Sequence, residues 1–207
     1  MRNESKARDD RQDQETEWDR RLGINTAGRD ASAEDTHHFP YEPTPYSVLE
    51  RLAESGLVSE ENVLVDYGCG KGRVIIFMSS RTGCGGTGID FNPAFVKDAA
   101  QNLAACRVRD KVTFRLENAE KFEVPAEADR FYFFNPFSEK ILHSVVGRII
   151  ASWYKEPRRI LLMFYYPSDE YVGYLMGVDE LSFLDEIDCS DLFPDDPRER
   201  ILCFETL

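Results

Sequence analysis

Residues 63–73 read VLVDYGCGKGR: a short apolar run, an aspartate, then three glycines in five positions before a segment with helical spacing. Glycine gives up more backbone entropy on folding than any other residue, and it weakens strands and helices alike. Three glycines where a strand meets a helix therefore point to a tight turn at which something approaches bare backbone. The amides opening the following helix would face the same point. Two common nucleotide loops fail on spacing. A phosphate-cradling G-x-x-x-x-G-K-[ST] needs Gly at position 65 and Ser or Thr at 72, where Val65 and Gly72 stand. A dinucleotide G-x-G-x-x-G needs its third glycine at position 73, which is Arg73. What remains is D-x-G-x-G-x-G, with Asp66, Gly68, Gly70 and Gly72.

Around this loop the chain alternates. YSVLERLAESG, RVIIFMSSRT, NPAFVKDAAQNLAAC and SEKILHSVVGRIIASWY carry apolar residues at helical spacing. Asn92 and Pro93 supply an N-cap and a first-turn proline for the third of these. NVLVDYG, GTGIDF, KVTFRLEN, DRFYFFNPF and RRILLMFYYP read as strands, followed by a short helix near Asp169–Leu175 and two more strands, ELSFLDEID and ERILCFET. Strands alternating with helices predict right-handed crossovers and a parallel sheet covered on both faces. The last two strands are separated only by CSDLFPDDPR, too broken for a crossover helix. The expected architecture is α/β: a mostly parallel seven-stranded sheet with helices on both faces and a C-terminal antiparallel strand pair. Residues 40–207 form that domain. Residues 1–39 are expected to be an N-terminal extension, partly disordered, because the first 17 are charged with almost no apolar content.

Composition narrows the function classes. The 207 residues carry a formal net charge of -13. A chain this acidic is repelled by polyanions and by anionic membrane surfaces, so nucleic acid ranks below a small-molecule or protein substrate. The one local exception is a basic stretch at Arg107, Arg109 and Lys111. Residues 1–21 lack the apolar core of a secretory signal, and the longest apolar run, Ile160–Tyr166, is too short to span a bilayer. Five scattered cysteines without a C-x-x-C pair suit a reducing, cytoplasmic setting. His37 and His38 have no ligand-type neighbours at metal-binding spacing, so no metal site is expected. Nothing in the sequence speaks to an oligomeric state.

The loop and the strand ends that follow it resemble the class I S-adenosylmethionine-dependent methyltransferases. GTGIDF ends in Asp90, RLENAEKF carries Asn118 and Ala119, and FYFFNPF ends in Asn135, Pro136 and Phe137. The resemblance implies S-adenosyl-L-methionine as cofactor. It places Asp66, Gly68, Gly70 and Gly72 at the cofactor, Asp90 on its ribose hydroxyls, Phe91 against adenine, and Asn118 with the Ala119 amide on the adenine edge. It makes Asn135-Pro136-Phe137 the catalytic motif, with Asn135 also touching the cofactor. WDRRLGINTAGRD and YEPTPYSVLERL extend the resemblance to a group of small bacterial methyltransferases. Thr44 and Tyr46 are then the candidates for the methionine carboxylate.

Each residue also has a plainer use. The glycines could simply turn the chain. Asp66 could fix loop amides, Asp90 could cap the next helix, and Asn118 could cap a turn. Lys71 and Arg73 could touch an anion or face solvent. Phe131–Phe134 reads as core strand rather than a substrate cage, and of Tyr165 and Tyr166 one should face the core and the other the cleft. In similar enzymes that methylate planar amines, [DN]-P-P-[YFW] holds the amine hydrogens and stacks an aromatic ring on the acceptor. The single proline here shortens that loop. No histidine or cysteine of the predicted cleft has an obvious base or nucleophile role. The favoured function is methyl transfer to a nitrogen of a protein or small molecule. A nicotinamide-dependent oxidoreductase and a non-catalytic S-adenosylmethionine-binding module are the alternatives.

Overall fold

The computed structural model describes residues 13–30, 41–193 and 196–207. Residues 13–22 are helical (α1), and Gly23 at a positive φ of 72° ends that helix. Residues 13–17 are thus helical where fraying of the first 17 is expected; residues 1–12 lie outside the described residues, as do His37 and His38. From residue 46 onward the elements are α2 (Tyr46–Glu54), β1 (Val63–Tyr67), α3 (Arg73–Thr82), β2 (Gly85–Asp90), α4 (Pro93–Ala104), β3 (Val112–Leu116), β4 (Arg130–Phe133), α5 (Glu139–Lys155), β5 (Leu161–Tyr165), α6 (Asp169–Leu175), β6 (Leu181–Asp188) and β7 (Arg200–Thr206). The Asn92 side chain caps α4 as its sequence implied, accepting from the Ala94 amide at 2.9 Å.

One seven-stranded sheet runs in the order β3-β2-β1-β4-β5-β7-β6. The first five strands in that order are parallel, and β7 pairs antiparallel with both β5 and β6. Strand order reverses between β1 and β4, so the crevice for a ligand lies at the carboxyl ends of those two strands. The unbroken apolar runs of β4 and β5 are explained by burial on both faces. Phe131, Phe133, Leu162 and Phe164 point into the core under α5 and α6, while Tyr132, Met163 and Tyr165 point into the core under α2 and α3. Tyr67, Phe133 and Phe164 stack across three adjacent strands, with ring centroids 5.0 and 4.5 Å apart and planes within 9°. Such pairs add about 0.5–1.5 kcal/mol each beyond area burial. They form a rigid floor beneath the crevice.

Candidate active site

The glycine loop is built as the sequence required, for a different immediate reason. Gly68, Gly70 and Gly72 all have positive φ (76°, 51° and 85°), a region costly for residues with a Cβ. A Cβ on Gly68 would lie 2.5 Å from Pro136, on Gly70 2.3 Å from the Tyr41 ring, and on Gly72 2.4 Å from Phe114. Each glycine therefore admits another segment of this chain, not only a ligand. Amides of Gly68 and Cys69 both donate to the Ile89 carbonyl, at 2.9 and 3.0 Å, which fastens the loop to the end of β2. No side chain caps the start of α3, so its first amides are left for a ligand in the crevice.

Asp66 and Asp90 divide the labour in the opposite way from the plain reading. Asp90 fixes the loop: its Oδ2 accepts from the Gly70 amide and its Oδ1 from the Asn92 amide, each at 2.9 Å. Asp90 stands at the end of β2 and lines the narrow cavity. Asp66 is 2% exposed, and its Oδ2 has no partner. Burial, reinforced by the neighbouring Asp90, raises its pKa to about 8. Such a carboxyl calls for a cationic donor, and it lines the same narrow cavity of about 70 Å³ as the buried Arg73.

Arg73 matches neither expectation for it. It faces neither solvent nor an open anion site. Its guanidinium pairs with Glu15 and lies 3.8 Å from Asp19. It donates to Thr26 Oγ1 at 2.6 Å and to the Thr44 carbonyl at 3.1 Å, and it sits 4.3 Å from the centre of the Tyr46 ring. Asp19 in turn accepts from the Thr26 amide and hydroxyl, both at 2.7 Å, and from the Tyr46 hydroxyl at 2.5 Å. The N-terminal segment is thereby bolted over the glycine loop, with Tyr41 lying on Gly70 and donating to the Thr26 carbonyl at 2.6 Å. Tyr46 is corrected accordingly: it is fully buried and its hydroxyl is committed to Asp19, away from the cavity. Thr44 does line the cavity, and its hydroxyl is shared with Tyr132 at 3.0 Å.

At the end of β2, Phe91 is 41% exposed and borders the narrow cavity and a smaller one lined by Asn118 and Ala119. Asn118 also caps the turn after β3, its Oδ1 accepting from the Glu120 amide at 2.7 Å. Its plainer reading therefore holds alongside its placement.

The Asn135-Pro136-Phe137 motif is split by its backbone. Asn135 has φ 37° and Tyr166, at the end of β5, has φ 52°. Strain of this kind collects at functional sites and costs roughly 1–3 kcal/mol per residue. The two strained residues support one another, the Asn135 amide nitrogen donating to the Tyr166 carbonyl. Asn135 Oδ1 is buried without a partner. Pro136 packs on Gly68, and Phe137 is 3% exposed in the core under α5, in edge contact with Tyr67 and Phe133. Phe137 nevertheless borders a wide cleft of about 750 Å³ and the smaller cavity beside Asn118. Phe134 is half-buried and keeps strand alternation, packing on the same side as Tyr132. From there it borders the wide cleft together with Tyr165 and Tyr166. Asn135 lines both this cleft and the narrow cavity.

The residues at the narrow cavity fit S-adenosyl-L-methionine. An unpartnered buried carboxyl suits the ammonium of an α-amino acid, and uncapped helix amides and a strand-end aspartate suit its carboxylate and the ribose. Fold and site together define the class I, S-adenosylmethionine-dependent methyltransferase type. Residues 64–155 match the family described as "Methyltransferase domain". A protein-lysine N-methyltransferase of Saccharolobus islandicus is 34% identical over 67 residues, which cover 32% of this chain and 42% of that protein. The match thus spans about two-fifths of the curated relative. Among solved structures, an RNA methyltransferase from Salinibacter ruber in complex with S-adenosyl-L-homocysteine aligns with TM-score 0.54 and 23% identity, over 80% of this chain and 92% of that one. A putative rRNA-methylase from Clostridium thermocellum aligns with TM-score 0.58 and 14% identity, over 81% and 99%. These two likenesses establish the fold. The nicotinamide reading has no support in the family match, and Arg73 fills the place of its third glycine. No helix among the described residues is long and apolar enough to cross a membrane.

Proposed function

We propose that the chain transfers a methyl group from S-adenosyl-L-methionine to an amine nitrogen of a protein or small molecule. The observation that carries this reading is Asn135 Oδ1: a buried, unpartnered acceptor where the narrow cavity meets the wide cleft. A buried acceptor without a donor costs about 1–3 kcal/mol, and an amine N–H entering the cleft would satisfy it. The cofactor supplies a methyl group on a sulfonium, whose leaving group is already good. The chain's share is to exclude water, align the nitrogen and hold its hydrogens. Asn135 does the holding, and its geometry is fixed by the bond to the Tyr166 carbonyl. In this reading the amides of α3 face the methionine carboxylate and Asp66 its ammonium. Asp90 serves the ribose, while Phe91, Asn118 and Ala119 surround the adenine.

The name of the Saccharolobus islandicus relative supports a nitrogen acceptor. The RNA acceptors named for the structural neighbours are fold-level analogy. The test is Asn135→Ala. Calorimetry should show S-adenosylhomocysteine binding within about twofold of the parent, while turnover falls about 10- to 100-fold. Full turnover in the variant, or methyl groups found on oxygen, would overturn the nitrogen reading.

A further inference from the structure

We infer that the wide cleft receives a side-chain ammonium of the lysine type, carried on a basic stretch of polypeptide; this rests on the nitrogen methylation proposed above. Among the described residues, four glutamates border the cleft, Glu42, Glu139, Glu170 and Glu199, against Arg29, with Arg198 at the edge of its aromatic wall. Arg29 is itself 4.0 Å from Glu42. Glu42, Glu139 and Glu170 are exposed and form a rim, whereas Glu199 is half-buried and accepts from the Tyr165 hydroxyl. A rim of one sign focuses the field into the cleft and attracts the opposite charge. A polyanion meets repulsion at the same rim.

The wall beneath the rim is aromatic. The Phe134 ring lies 4.6 Å from Tyr165 at 52° and 6.4 Å from Tyr166 at 81°, so the three rings present differently inclined faces. Inclined aromatic faces suit a cation, more so when it is desolvated. This wall already seats one at its edge: the Arg198 guanidinium lies 4.4 Å from the centre of the Tyr166 ring. Beside the wall stands the unpartnered Asn135 oxygen. An alkylammonium satisfies all three features on binding: N–H for the oxygen, charge for the rings and rim, and a methylene stem for the apolar lining at Pro43 and Phe134. It then gives one proton to solvent, and the neutral amine's lone pair forms the new N–C bond as S-adenosylhomocysteine leaves. A hydroxyl acceptor would leave the acidic rim without a counter-charge.

The test uses the protein without added cofactor and reads fluorescence anisotropy of a labelled short peptide with a central lysine between arginines. The comparison probes are the same peptide with norleucine or acetyl-lysine at the centre, free butylamine, and a single-stranded RNA. Neutralising the central lysine should weaken binding about tenfold or more, and added salt should weaken the parent peptide further. Glu139→Gln and Glu170→Gln, both at exposed positions, should each weaken it about two- to fivefold with an unchanged melting midpoint. Equal binding of the norleucine peptide overturns the cation seat. Butylamine binding as tightly as the peptide overturns the polypeptide partner, and RNA that displaces the peptide overturns both. Mass spectrometry separates this inference from the nitrogen reading. Methyl groups on oxygen with cation-selective peptide binding leave the seat standing alone; methyl groups on a neutral amine nitrogen without that selectivity do the reverse.

Discussion

Replacing Asp66 by asparagine keeps the shape of the side chain and removes a titratable proton from the floor of the narrow cavity. In the folded chain burial holds this carboxyl at a pKa of about 8, against 3.8 in the open. Between those values the native state keeps a proton that the unfolded state has released, so raising the pH favours unfolding. The parent therefore loses stability as pH rises from about 4 to about 8, and the loss from this group stops above that. The slope is about 1.4 kcal/mol per pH unit. Between about pH 5.5 and about pH 7.5 the stability of Asp66→Asn relative to the parent should thus climb by roughly 3 kcal/mol. Urea unfolding of both proteins across this range, compared at equal m-value, isolates the group from every other titration. A difference that stays flat with pH would mean that Asp66 is ionised and paired in the native state, and the reasoning fails. A companion measurement addresses the cofactor. S-adenosylhomocysteine carries an ammonium that would pair with Asp66 and drive its proton off. Calorimetry at about pH 7 in buffers of different ionisation enthalpy should therefore show about one proton released on binding by the parent and none by Asp66→Asn.

Three further outcomes are expected. Arg73→Met leaves Glu15 and Asp19 without their cation; because the Glu15 side chain is 22% exposed and can regain water, the cost should fall at the low end of a broken buried pair, about 3 kcal/mol. The melting midpoint should drop by about 6–12 °C, with residues 13–30 becoming open to protease. Gly70→Ala combines a φ of 51° with a Cβ 2.3 Å from Tyr41; it should displace Tyr41 and weaken S-adenosylhomocysteine binding in calorimetry by about tenfold or more. Phe137→Leu trims a core ring that also borders the wide cleft, and it should cost about 1–2 kcal/mol in urea unfolding.

From residue 46 onward the fold was legible because two signals agreed along the chain: glycine, asparagine and proline punctuation, and apolar runs of the length of strands and helices. The C-terminal antiparallel pair followed from CSDLFPDDPR alone, which cannot make a crossover. The role of Arg73 was not legible. Its partners Glu15 and Asp19 come from a segment that reads as charged throughout, and only Trp18 and Leu22, one turn apart and followed by Gly23, marked a helix there. Trp18 packs edge-on against Phe77 with centroids 5.0 Å apart, which anchors that helix to α3. The strain at Asn135 was hidden for a different reason: nothing in the residue types of NPF marks a positive φ there, whereas Phe137 keeps the face of Phe131 and Phe133.

Mass spectrometry after incubation of the protein with labelled S-adenosylmethionine and a fractionated cell extract tests methyl transfer most directly. The expected result is label in the protein fraction, on the side-chain nitrogen of a lysine-type residue in basic surroundings, and greatly reduced with Asn135→Ala. Label confined to RNA or to an oxygen atom, or no label in any fraction despite bound S-adenosylhomocysteine, would contradict it.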